Sequence, residues 1–179
     1  MAEHYLGPVE SDQTALPAAQ TAAEAIPSLT ILQNQAQAIQ MGSEEAAALV
    51  KATMLRQEIV SVAKAQLGVR YSWGGKSPSG FDCSGLVYYV FGQLGYDMNR
   101  TATAQLDDGV EVAKEDLLPG DLVFFKGTSR RSSGRASHVG IYIGDGLFIH
   151  ASNSGVKITE LSSNYYTNHY LTARRVINP

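Results

Sequence analysis

One cysteine, Cys83, and one tryptophan, Trp73, are all that a chain of 179 residues holds of those two types. A single cysteine excludes an intrachain disulfide and any multi-cysteine metal cage, so stability must rest on packing. Charge is scarce as well: 17% of residues are charged, the formal net charge is -3 and the pI is near 5.8. With no basic run, the chain lacks the electrostatic footprint of a nucleic-acid partner or of an anionic membrane surface. No apolar run is long enough to span a bilayer, and Met1-Ala2-Glu3-His4-Tyr5-Leu6-Gly7-Pro8 has neither the basic nor the apolar region of a leader. The expectation is a chain made for the cytoplasm, or one from which a leader has been removed.

Hydrophobic residues make up 44% of the sequence, enough to bury a core, and they are unevenly spread. Residues 1–42 are rich in Ala, Gln and Thr, interrupted by Pro8, Pro17 and Pro27, and read as an arm that either tethers or docks over a site. Residues 43–179 read as the folded domain. Ser43, Glu44 and Glu45 start a helix whose apolar positions Ala48, Leu49, Ala52, Leu55, Ile59, Val62 and Ala63 recur at three-to-four spacing, and Gly68 closes it after Leu67. A second helix follows the turn formers Gly74 to Gly80, carries Leu86, Val87, Val90, Phe91 and Leu94, and ends at Gly95. After Pro119-Gly120-Asp121 the period changes to that of strands: Leu122 to Phe125, Val139 to Ile143, Leu147 to His150, Val156 to Ile158 and Leu171 to Val176. Helices first and consecutive antiparallel strands afterwards predict an α+β domain.

Cys83 falls in the first turn of the second helix, where free N–H groups and the helix dipole favour thiolate. It reads either as a nucleophile or as a small buried hydrophobe. His138 opens one strand and His150 closes the next across the Gly144-Asp145-Gly146 turn, so the imidazoles can pair on one face of a hairpin. If Cys83 packs over that edge, one ring can take the thiol proton while the other orients it, and a nearby His⁺ would lower the thiol pKa to an ion pair. A metal site or two structural histidines are the competing readings. His4 and His169 are given no role.

Tyr71-Ser72-Trp73-Gly74-Gly75, Phe81-Asp82-Cys83-Ser84-Gly85-Leu86-Val87, Pro119-Gly120-Asp121-Leu122-Val123-Phe124-Phe125, Ser137-His138-Val139-Gly140-Ile141-Tyr142 and Phe148-Ile149-His150-Ala151 together resemble the NlpC-type cell-wall cysteine peptidases, over residues 56–176. The resemblance implies a papain-like α+β fold that needs no cofactor. It implies hydrolysis of peptidoglycan stem peptides or muropeptides between D-γ-glutamate and diaminopimelate or lysine. It gives Cys83 as nucleophile, His138 as general base and His150 as the polar third member, with Tyr71 near the oxyanion. Asp82 and Ser84 would hold the free amine of a trimmed stem, and Ser137 and Arg100 would line the cleft.

Asp82 reads equally as an N-cap, and Trp73 as packing beside a turn. An amidase or acyltransferase on the same scaffold and a non-catalytic wall-binding module are the alternatives. The cell-wall chemistry that the resemblance implies favours a secreted or wall-associated chain, outside the cytoplasmic membrane, over a cytoplasmic one. Arg130, Arg131 and Arg135 lie in a segment longer and more basic than the resemblance leads one to expect, and they read as a positive lip for substrate carboxylates or as a solvated loop.

Overall fold

The computed structural model describes residues 42–127 and 136–178. The arm up to Met41 and the arginine-bearing segment 128–135 therefore lie outside the described residues. Helix α1 spans Ser43–Lys64 and begins where the sequence predicts, with Gly42 as its N-cap; it stops short of Leu67. Its buried stripe is Ala52, Arg56, Ile59 and Ala63, the spacing of one helical face. Arg56 is the exception among those apolar residues, and its partner is across the fold.

A short hairpin, β1 (Lys76–Ser77) and β2 (Gly80–Phe81), leads into α2 (Cys83–Gly92). Then come β3 (Val110–Val112), β4 (Leu122–Lys126), β5 (Ala136–Gly144), β6 (Leu147–Ser152), β7 (Gly155–Glu160), α3 (Asn164–His169) and β8 (Tyr170–Arg175). The last six strands form one sheet in the order β3-β8-β4-β5-β6-β7, antiparallel throughout. The sequence misses four of these elements. β3 and the β1–β2 hairpin are too short to show a period, and α3 is one polar turn and a half that reads as loop.

Alternation along each strand sends side chains to two different layers. On one face Leu122, Phe124, Val139, Ile141, Ile149 and Ala151 meet Leu86, Val87, Val90 and Phe91 of α2. On the other, Val123, Phe125, Phe148 and Ala173 meet Leu161, Tyr166 and Tyr170. β4 is thus covered on both sides, which is why Leu122-Val123-Phe124-Phe125 is an unbroken apolar run rather than an alternating one. Each of these four fully buried side chains contributes roughly 1.5–3 kcal/mol of transfer free energy.

One buried carboxylate joins α1 to the sheet. Asp121 is fully buried and receives Arg175 in a two-pronged bond (3.0 and 2.7 Å), Arg56 at 3.1 Å and the Leu118 N–H at 2.8 Å. Arg56 also donates to the Ile177 carbonyl, so the C-terminal strand is tied to the same point. Removing the anion leaves two guanidiniums without their counter-charge, Arg56 almost wholly buried. Asp121→Ala is expected to lower unfolding free energy by about 3–5 kcal/mol. Urea unfolding at neutral pH checks this; a loss under about 1 kcal/mol would show the network to be dispensable.

Candidate active site

Cys83 is the first residue of α2, and what precedes it fixes where it points. Asp82 is the N-cap: its Oδ1 accepts the Gly85 N–H at 2.6 Å, and its Oδ2 accepts the Gly74 N–H at 2.9 Å. Arg100 closes on the same carboxylate with both prongs, at 3.0 and 2.7 Å, and on the Ser84 hydroxyl at 3.0 Å. Burial alone would raise the Asp82 pKa, but Arg100 and the two N–H groups outweigh it and hold the carboxyl below its ordinary range. Gly85 has no alternative here, because a Cβ would collide with the Gly75 carbonyl. The glycine turn is pressed against the helix end.

The Cys83 thiol is half-buried, and the backbone N–H of Val139, the residue after His138, is near enough to favour its charged form. Burial pushes its pKa up, with the Asp82 charge adding to the rise, and the N–H groups of Val139 and Ser84 offset only part. The expected thiolate is therefore not the resting form, because desolvation exceeds the pull of the helix end.

The imidazoles meet as a diagonal pair. β5 and β6 pair Ile141 with Ile149 and Tyr142 with Phe148; continued, that register sets Gly140 opposite His150 and leaves His138 one diagonal step away. His138 Nε2 and His150 Nδ1 are 2.8 Å apart, with the rings at 88°. Phe148 stacks on His150 at 4.8 Å, over space that any side chain at position 140 would fill. The outer nitrogen of His150 lies 2.9 Å from Thr159 Oγ1, and Tyr166 Oη stands 3.5 Å from both of its nitrogens. No third His, Cys, Asp or Glu joins the pair among the described residues.

Burial lowers His138 to about 4; burial, the neighbouring His138 and Lys157 lower His150 to about 3. Neutral imidazoles beside a neutral thiol replace the expected ion pair. Among the described residues no hydrogen bond links the sulfur to either ring, whose bonds run to each other, Thr159 and Tyr166.

Cys83 and His138 open into one cleft of about 750 Å³, together with Tyr71, Asp82, Ser84, Arg100 and Ser137. His150 lies behind His138, fully buried. Burial and the neighbouring Cys83 and Asp82 raise the Tyr71 pKa, so its phenol keeps a proton to donate. Trp73 corrects the sequence reading: it is 91% exposed on the cleft rim and packs into nothing. Gly74 and Gly75 hold its turn against α2, so the ring is carried out into water.

Tyr165 and Tyr166 form the facing wall from α3, and Thr159 supports His150 from β7. None of the three was a candidate from sequence, where Thr159 is an ordinary strand threonine and α3 has no visible period. His169 stays outside the site, held by the Tyr165 carbonyl, and His4 lies outside the described residues.

A thiol at a helix N-terminus, packed against an antiparallel sheet that carries two bonded imidazoles, defines a papain-like α+β domain. The family model described as NlpC/P60 matches residues 68–175, and the chain belongs to that family. It is similar to murein DD-endopeptidase MepH of Escherichia coli, 46% identical over 120 residues that cover 64% of this chain and 43% of the relative. It is also similar to the bifunctional muramidase/DL-endopeptidase CwlT of Bacillus subtilis, 36% identical over 138 residues, 75% of this chain and 41% of the relative. The solved NlpC/p60 domain of peptidoglycan hydrolase SagA matches with a TM-score of 0.59 at 32% identity, covering 67% of this chain and 97% of that one. The chain thus spans less than half the length of either curated relative.

The depressed histidines have a consequence for stability. Free imidazoles titrate near 6.5, so between there and the folded values near 4 and 3 the unfolded chain binds more protons. Their contribution is complete above pH 6.5 and is lost as pH falls through that window. Urea midpoints from pH 7.5 to about 4.5 are expected to decline, and His150→Gln to flatten the decline. An unchanged slope in that variant contradicts a neutral buried pair.

Proposed function

We propose that this chain is a thiol endopeptidase acting on peptidoglycan stem peptides. The observation that carries the reading is the 2.8 Å bond between His138 and His150 in the wall of the cleft that also holds Cys83. In this reading His138 Nδ1 takes the thiol proton as sulfur attacks the scissile carbonyl. The pair need not be in contact beforehand, since such bonds tighten in the substrate complex. In this reading Tyr71, which lines the same cleft, and the backbone amides at the start of α2 donate to the charge that develops on the carbonyl oxygen. His138 then hands its proton to the departing amine, which leaves a thioester. Water, deprotonated by the same ring, releases the acid and regenerates the thiol. Ser137 and Arg100 would border the bound peptide, and Asp82 and Ser84, which line the same cleft, would meet the free amine of a trimmed stem.

The bond favoured here is D-γ-glutamyl to diaminopimelate or lysine, a junction of D and L centres, in keeping with the DL-endopeptidase in one relative's name. A D,D bond is the second reading, favoured by the name of the relative from Escherichia coli. Either substrate lies outside the cytoplasmic membrane, which is where the enzyme would act. Residues 43–179 would form the peptidase domain and residues 1–42 its arm.

Mass spectrometry of muropeptides before and after digestion decides between the bonds by the masses and new termini released. Cys83→Ala is expected to lower turnover by at least about 10³-fold. Cleavage retained by that variant removes Cys83 as nucleophile; acyl transfer to an added amine in preference to water would move the activity to the acyltransferases.

A further inference from the structure

We propose that Thr159 is a positioning residue, whose hydroxyl sets the proton location in His150 and so keeps His138 able to accept a proton. The proposal rests on the thiol-endopeptidase reading and adds a fourth member to its relay. The geometry comes from the sheet. β6 and β7 pair Phe148 with Thr159 and His150 with Lys157, so Thr159 is the diagonal neighbour of His150 on its face, as His138 is on the other side. Across β5, β6 and β7 the three side chains form one line, with bonds of 2.8 Å and 2.9 Å.

Proton bookkeeping makes that line directional. When His138 holds a second proton, both its ring nitrogens donate, so His150 Nδ1 has to accept. A neutral His150 then carries its single proton on Nε2, and that N–H needs an acceptor. His150 is fully buried, and Thr159 Oγ1 at 2.9 Å is the near one. Tyr166 Oη, at 3.5 Å from both nitrogens, is long and favours neither.

The reverse chain would have Thr159 donate to Nε2 and His150 donate from Nδ1 to His138. His138 would then carry its proton on Nδ1, the nitrogen that does not bond His150 and the one assigned to take the thiol proton, and could not take another there. Thr159 is half-buried on the last strand of the sheet, so its own hydroxyl proton can point to water in the forward chain.

Thr159→Val retains the branched shape and the strand preference and removes the acceptor; Thr159→Ser restores it, and Thr159→Ala provides a second deletion should the valine fit poorly. Two quantities are read: kcat and KM on muropeptides, and the ¹⁵N shifts of the His150 ring, which distinguish its tautomers. The expected result is a kcat lower by about tenfold in the valine variant with KM within about twofold of the parent, and recovery in the serine variant.

The parent ring is expected to carry its proton on Nε2, and the valine and alanine variants to shift it toward Nδ1. A valine variant with parental kcat, or a His150 tautomer identical in parent and deletion variants, overturns the proposal. Should the parent cleave no muropeptide, the proposed activity fails, while the ring shifts still decide the role of Thr159.

Discussion

Three walls of the cleft meet at the Asp82 carboxylate. It caps α2 through Gly85, holds the Trp73–Gly75 turn through the Gly74 amide, and takes both prongs of Arg100 from the segment that follows the helix. The Cys83 position is the product of those bonds, because the thiol is attached to the residue next to the clamp. With its lone pairs committed to the fold, Asp82 acts as a keystone for the cleft, and Ser84 shares that network. A charge-assisted bidentate pair of this kind is among the stronger polar contacts a half-exposed site can hold.

The second organising fact is where the sheet puts its histidines. His138 and His150 stand on the face that carries Phe125, Phe148 and Tyr166, not among the solvated groups of a surface. An apolar layer of that kind makes charge costly, so the imidazoles rest neutral and the thiol rests protonated. Helix N-termini do attract negative charge, and Cys83 occupies one. Here the dry surroundings outweigh that attraction, and burial holds the thiol pKa up despite the helix end.

Much of this was legible in the sequence because it is local. The apolar period of α2, the lone cysteine at its start, the turn at Asp145 and the spacing that pairs the histidines all follow from rules acting over a few residues. The Asp82 cap was equally local. What escaped depends on distance. Thr159 gains meaning only when β7 is registered against β6, and Tyr165 and Tyr166 only when six residues too few to show a period wind into α3. Trp73 reads from sequence as packing beside a turn; the paired glycines that carry its turn outward are visible there, but their consequence is not. The thiol's ionisation differs from the sequence expectation for a related reason: a helix end can be read from sequence, and its degree of drying cannot.

Trp73 is the chain's only tryptophan and it stands in water at the mouth of the cleft. Excited selectively, its indole emission is therefore a window on occupancy and not on folding. Denaturation would move that ring from one aqueous setting to another and change its colour little, whereas a ligand laid across the rim would take it out of water altogether. The fluorophore that in most proteins signals the loss of the core is here a natural titration probe.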